Sequence, residues 1–413
     1  MKMHLRTVRL VFISFLSLAT AVEAAEWNQF RGPNADGKTD AVLPLEFGED
    51  RNVKWKTPMP GKAWSSPVVW GQQIWFTNAQ LDGHKLWAVC LDAESGKIVH
   101  DILVFEVAEP QYCIEMNSYA TPTPLVEKGR VFVSFGAHGN ACLDTATGKV
   151  IWERRDIECY HHRGPASSPI SYGKLLILHF DGFDKQFVVA FDKETGDTKW
   201  RHDRAFDFRT DDNDWKKAFG TPVVITHKGV EQLISPAAAA TEALDPLTGK
   251  TLWVARTGGM NAAARPLYGH DLVFVTNGMG SLSAIRPEGS GELPETNVAW
   301  SSKRGVPKKP SLILDGNLLF MVSDGGVAAC VDAKTGKLHW SERVGGEYAA
   351  SPILSRGRIY FFSRDGEIPV IAARKEFKLL ARNKLADGFM ASPAIAGNAL
   401  ILRTRTAVYR IEG

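Results

Sequence analysis

Asp144-Thr145-Ala146-Thr147-Gly148, with Trp152 four residues on, is one copy of a pattern that recurs along this chain: D-x-x-[ST]-G-x-x-x-W. The spacing returns at Asp192 to Gly196 with Trp200, at Asp245 to Gly249 with Trp253, and at Asp332 to Gly336 with Trp340. A fifth copy, Asp92 to Gly96, carries His100 in the Trp position. Ahead of the copies runs a second mark, a proline followed by an apolar run, at Pro67, Pro122, Pro169, Pro222, Pro266, Pro310, Pro352 and Pro393. These prolines stand 41 to 55 residues apart, a period that belongs to repeat architectures.

One unit shows what the repeat builds. After Pro310 come Leu312 to Leu314, Leu318 to Val322, Val327 to Val331 and Lys337 to Trp340, separated by Asp315-Gly316-Asn317, Ser323 to Gly326 and Asp332 to Gly336. Short apolar runs bounded by Gly, Asn and Asp read as four strands joined by tight turns. No stretch after the leader holds a 3.6-residue apolar period, so helix is nearly absent. Four-stranded antiparallel units repeated about an axis make a β-propeller, and eight marks predict eight blades. The last unit, from Pro393 to Ile411, supplies three strands. Val53 to Lys56, with Trp55 in the aromatic position, is expected to complete it and close the ring. Two blades depart from the pattern: the fifth inserts Gly289 to Thr296 before Trp300, and the seventh has Arg374-Lys375-Glu376 at the turn.

Residues 1–24 read as a secretory signal: Lys2, Arg6 and Arg9, an apolar core from Leu10 to Leu18, and Val22-Glu23-Ala24 as a cleavage site after Ala24. The apolar core is too short to span a bilayer, and no Cys follows for a lipid anchor. The expected organisation is a signal over 1–24, an N-terminal extension over 25–52, and the propeller over 53–413, in the periplasm or outside the cell. Without the leader, 46 basic and 45 acidic residues remain (49 less three, 46 less one), a balance that gives no pull toward nucleic acid. Cys90, Cys142 and Cys330 recur before the turns as buried apolar residues. Cys113 and Cys159 occupy equivalent connections of adjacent blades, and in an exported protein a disulfide between them is expected, with a thiol pair on a metal as the alternative.

The repeat A-x-x-D-x-x-T-G-x-x-x-W resembles the pyrroloquinoline-quinone-type propeller repeat from about Val53 to Ile411, and Trp27-Asn28-Gln29-Phe30-Arg31-Gly32-Pro33 looks like the opening of exported propeller proteins common in planctomycetes. Quinoprotein alcohol dehydrogenases share such a blade, as does the propeller lipoprotein of the outer-membrane barrel-assembly machinery. The dehydrogenases carry adjacent cysteines against the quinone and a calcium site beside a catalytic Asp. This chain has no Cys-Cys, so its residues do not support pyrroloquinoline quinone as a cofactor, and no metal site is expected. The lipoprotein's anchoring Cys is also missing.

In such a blade the inter-blade connections and the loops between the second and third strands emerge on one face, and long loops there carry function. The longest belong to blades 1–4: 101–119, 154–166 and 201–219, with His138 and His179 to Asp184 from the second-to-third loops. Glu115, Asn117, His161, Arg163, Asp181 and Asp184 are the candidate ligand-binding residues. Arg163 offers a planar fork to an anion, Glu115 or Asp181 pairs with a cation or a sugar hydroxyl, and His161 is the candidate general base. Against this stand plainer readings: Asp181 and Asp184 capping a turn, Arg163 paired with a neighbouring carboxylate, and Asp211 to Asp214 as a solvated turn. No nucleophile elbow, phosphate loop or metal-binding His spacing is present. The sequence therefore points to an exported binding or scaffold module of the cell envelope, holding a protein, peptide or glycan. A divergent quinoprotein oxidoreductase or metal-assisted enzyme on the loops of blades 1–4 is the alternative.

Overall fold

The computed structural model describes residues 26–413, so the expected signal sequence lies outside the described residues. Eight sheets, each with four antiparallel strands, form an eight-bladed β-propeller, and among the described residues helix is confined to two single 3-10 turns. Strand order is sequential within each blade, from the first strand at the axis to the fourth at the rim. Blades 1–7 begin at Val68, Leu125, Ile170, Val223, Leu267, Ile313 and Ile353. Blade 8 comprises Ala394–Ala396, Ala399–Arg403 and Ala407–Ile411, and its outer strand is Val53–Pro58, in register Val53 with Ile411 and Pro58 with Ala407. The expected closure by the N-terminal strand is therefore made.

The recurring pattern does two jobs, one in each of two blades. In the turn, Asp144 Oδ1 accepts from Thr147 N at 2.7 Å and Thr147 Oγ1 at 2.8 Å, and Gly148 at φ 71° donates back to Asp144 O. The Asp thus supplies the turn's acceptor and the Gly its left-handed backbone. Where the preceding blade carries the Trp, its ring lies on the turn's Gly; at Gly148, Ile102 and His100 of blade 1 stand there instead. The Trp152 ring covers Gly196 and its Nε1 donates to Lys193 O at 2.9 Å. Trp200 covers Gly249 and bonds Pro246 O, and Trp300 covers Gly336 and bonds Ala333 O. Trp55 does the same over Gly96, bonding Ala93 O, so blade 8 grips blade 1 as any blade grips the next. Blade 5 has no such turn. There Trp253 folds inward to Gln232 Oε1, and the insertion lays Gly291–Glu292 parallel against Trp253 and Val254 as a fifth strand.

Gly196→Ala tests this docking. An added Cβ would meet Trp152 Cδ2 at 2.8 Å, whereas at Gly71, also at positive φ, it would meet nothing within 4 Å. Gly71→Ala is expected to cost only the left-handed backbone term of about 1–2 kcal/mol. Gly196→Ala is expected to cost clearly more in denaturant melts, and equal losses would show that the Trp contact contributes nothing.

The chain ahead of the closing strand runs through the axial channel. Trp27 O accepts from Val69 N in blade 1, Asn28 O from Val126 N in blade 2, and Gly37 O from Leu354 N in blade 7. Lys38–Thr39 pairs parallel with Leu354 and Ser355. Between these, the buried Arg31 donates to Leu312 O at 2.6 Å and Pro352 O at 2.8 Å. The segment thereby satisfies backbone groups that the innermost strands leave open toward the axis.

Candidate functional site

The loops of blades 1–4 do emerge on one face, but they do not bring the six candidate residues into one site. Asp181 ends the fully buried strand Leu175–Asp181 and lies beneath the surface, held by Arg204 Nε and Nη2 at 2.7 Å each. Arg204 also bonds Glu242 at 2.9 Å and Ser235 Oγ at 2.9 Å, and His202 reaches Glu242 at 3.2 Å. Burial pushes Asp181 upward while Arg204 pulls it back, and His202 and Arg204 hold Glu242 below the usual carboxylate range against burial. This is an internal ion cluster joining blade 3 to blade 4. His161 is likewise sealed: its Nε2 accepts from Ala137 N at 3.1 Å, and burial pushes its pKa down to about 4, which corrects its expected place as an accessible base. Asp184 is exposed and takes the Tyr160 N–H at 2.6 Å. The Glu115 side chain faces solvent, and its backbone oxygen accepts from Lys62 Nζ.

The expected Cys113–Cys159 bridge is not formed, and both stand as free thiols. Cys113 Sγ lies against Gly164 and Arg163 O, whereas Cys159 is buried under Gly182, 3.8 Å from Phe180 O. The two connections are equivalent in sequence, but each turns its sulfur toward a different loop.

Asn117 and Arg163 do meet, at the wall of a funnel on the propeller axis with a volume of about 470 Å³. Asn117 Nδ2 donates to Arg163 O at 2.9 Å and Pro165 O at 3.2 Å, fastening one connection to the next. Arg163 Nη2 bonds Asp214 at 3.0 Å, and Lys217 Nζ touches the same carboxylate. The turn Asp211 to Asp214, expected to be solvated, is exposed at Asp211 and Asp212, but Asp212 also caps the short helix Asn213–Lys216 and Asp214 is tied to Arg163 and Lys217. Lys308 and Lys309 stand across the mouth, and Lys309 Nζ meets Asp324. Trp64, Ile114, Met116, Phe219, Met279 and Met390 supply apolar wall, and Phe30 of the axial segment closes the floor. The lining holds no carboxylate, imidazole or thiol.

The floor carries a feature that the loop reading missed. Two residues before the innermost strand of every blade but the fifth stands a hydroxyl: Ser66, Thr123, Ser168, Thr221, Ser311, Ser351 and Ser392. The backbone N–H of each passes to the hydroxyl of the next blade: Ser66 N to Thr123 Oγ1 at 3.1 Å, Thr123 N to Ser168 Oγ at 2.9 Å, and Ser168 N to Thr221 Oγ1 at 3.0 Å. The belt resumes with Arg265 N to Ser311 Oγ and runs through Ser351 and Ser392 back to Ser66 Oγ at 3.0 Å. Blade 5 has Arg265 in the hydroxyl's place, and its guanidinium turns to Pro222 O, Phe30 O and Gln29. The signal is present in the sequence as Ser or Thr ahead of seven of the eight first strands. The proline marks hid it, because Pro122 and Pro310 sit before Thr123 and Ser311 while the other six prolines follow the belt position.

Pyrroloquinoline quinone, which the repeat brings to mind, does not fit this funnel. No lining carboxylate is available to hold a divalent cation beside the quinone, and no cysteine pair lies against its space. Among the described residues no group of three His, Cys, Asp or Glu side chains is placed to bind a metal.

Comparison with known proteins places these features. The family model described as outer membrane protein assembly factor BamB matches residues 49–233 and 294–376. No curated protein matches the chain in sequence. Among solved structures, BamB from Moraxella catarrhalis is 12% identical over 87% of this chain and 99% of its own, with a TM-score of 0.61. A europium-containing methanol dehydrogenase is 12% identical over 93% and 90%, with a TM-score of 0.67. The quinohemoprotein alcohol dehydrogenase from Comamonas testosteroni is 12% identical over 95% and 81%, also at 0.67. At that identity the likeness shows a shared fold alone.

Proposed function

This chain belongs to the family of the outer membrane protein assembly factor BamB, and from that premise we propose that it is an exported envelope module that binds a polypeptide in its axial funnel. The observation that carries this reading is the composition of the funnel. Methionine, tryptophan and phenylalanine walls adapt to apolar side chains, and Arg163, Lys308 and Lys309 frame the mouth. The lining offers no carboxylate or imidazole to act as a general base. Of the six candidate residues, Asn117 and Arg163 are the two that would meet a ligand; His161 and Asp184 hold loops, Asp181 belongs to the internal ion cluster, and the Glu115 side chain faces solvent. Exposed Tyr112, Met116, Tyr160, Trp215 and Met279 add the residue types that dominate protein-binding surfaces. Among the described residues no helix is long and apolar enough to cross a membrane. The enzymatic alternative lacks support from Asp181 and His161, which are committed inside the fold.

A photo-crosslinking residue at Met279, on the funnel, is expected to capture an envelope polypeptide in cells, whereas the same residue at Leu247, in a turn of the opposite face, captures none. Ala349→Trp fills the funnel from a lining position and should abolish the Met279 product. Capture that persists in Ala349→Trp, or is equal at both positions, overturns the funnel as the binding site.

A further inference from the structure

The hydroxyl belt has a free valence. Ser66, Thr123, Ser168, Thr221, Ser351 and Ser392 line the funnel, and each is less than 8% exposed. Each oxygen receives one N–H from its neighbour, yet none of the six O–H groups donates to a protein acceptor among the described residues. A hydroxyl has one hydrogen to give, and a buried donor left without an acceptor is destabilising. Six such donors converge on one axial space whose lining contains no carboxylate to accept them.

The geometry points to a carboxylate as the group this belt receives, on the end of an apolar chain that enters the funnel; this rests on the funnel being the ligand site. A carboxylate is acceptor-only, with about four lone-pair sites on two oxygens, and so matches a ring that offers hydrogens. Hydrogen bonds to an ionised acceptor are roughly twice as strong as neutral ones. A sugar would bring hydroxyl hydrogens of its own to a floor already rich in donors. A doubly charged phosphate calls for free cations in contact, but of the three cations in the lining Arg163 is already paired with Asp214 and Lys309 with Asp324. The wall from Trp64 to Met390 then covers the apolar stem, and the volume lies within the range of about 300–1,000 Å³ usual for ligand pockets. A polypeptide C-terminus and a free apolar acid share this chemistry.

Calorimetry on the whole exported protein separates these possibilities with N-acetyl-Leu-Phe, its C-terminal amide, and octanoate as probes. The peptide acid is expected to bind at least about tenfold more tightly than the amide, the difference of a hydrogen-bonded charged group. Octanoate binding as tightly as the peptide acid assigns a free acid, and weaker octanoate binding assigns a chain end. Thr123→Val removes one O–H and should reduce acid affinity more than that of the amide, while Thr123→Ser keeps both. Should the valine variant fail to fold, the acid-to-amide ratio of the parent protein still decides. Equal affinities for acid and amide, both lost in Ala349→Trp, overturn the carboxylate and leave the funnel as a binding site. Affinities unchanged in Ala349→Trp overturn the funnel itself, and no binding by any probe at millimolar concentration overturns the carboxylate.

Discussion

Arg204→Met is expected to destabilise the protein by about 3–5 kcal/mol at neutral pH, the usual cost of stripping one partner from a buried ion cluster. Its side chain is fully enclosed and makes two bonds to Asp181, one to Glu242 and one to Ser235. Methionine has similar bulk, so the loss reflects two carboxylates left in the interior rather than a cavity. For a cooperative unit of this length the loss corresponds to a fall in Tm of roughly 4–6 °C, given an unfolding entropy of about 2.1 cal/mol/K per residue. The deficit depends on pH with a definite sign. Burial already raises Asp181 in the parent, the Glu242 charge adds to it, and without Arg204 only His202 opposes it. A carboxyl whose folded pKa lies above its unfolded value near 3.9 binds its proton more tightly when folded. The penalty is therefore absent below that unfolded value and grows as pH rises through the folded one, so the gap between variant and parent should narrow on acidification from pH 7 toward pH 4. Adding Asp181→Asn and Glu242→Gln to Arg204→Met should recover most of the loss. A constant gap across that range, or a single variant as stable as the parent, would show that the cluster does not carry the blade 3 to blade 4 junction.

The ion cluster also shows where sequence reasoning stops. The repeat was legible because its turn is local: Asp, Thr and Gly lie within five residues, and the Trp that docks on them recurs at fixed spacing. Closure was legible because a three-stranded last unit left one strand to be supplied. Asp181 was read as part of a loop because His179 to Asp184 mixes polar residues with Gly. Its partner Arg204 lies 23 residues on, and its second partner Glu242 belongs to another blade. Neither separation follows a period. Periodicity also cannot tell which way a sulfur turns, so equivalent positions for Cys113 and Cys159 did not become a bond. The axial segment resembles the opening of other propeller proteins, but its task lies in contacts of Arg31 with carbonyls of blades 6 and 7, some 280 and 320 residues away, which no local pattern encodes.

Removing residues 26–58 should leave a chain without a cooperative unfolding transition. The deletion strips blade 8 of its outer strand, paired from Val53 to Pro58, and removes Trp55 from Gly96 of blade 1. It also empties the channel of Trp27, Phe30 and Arg31, exposing the innermost edges of blades 1, 2 and 7. Burying one large side chain is worth about 1.5–3 kcal/mol and each net hydrogen bond about 0.5–1.5 kcal/mol. The sum is comparable to the whole stability of a domain, about 5–15 kcal/mol. The two losses can be told apart because Glu412 N already bonds Asn52 O, which places the end of the chain beside the start of the closing strand. Residues 52–58 can therefore be moved to follow Gly413 through a short glycine-containing turn, on a chain that starts at Met59. That chain regains the eighth outer strand and the Trp55 contact but not the axial segment. It is expected to recover a cooperative melt at a lower Tm than the parent, and a peptide of residues 26–40 added in trans should raise that Tm in a concentration-dependent way, as binding to the folded state alone requires. If the grafted strand restores nothing, ring closure is not what these residues supply, and the axial segment must be the element around which the blades assemble.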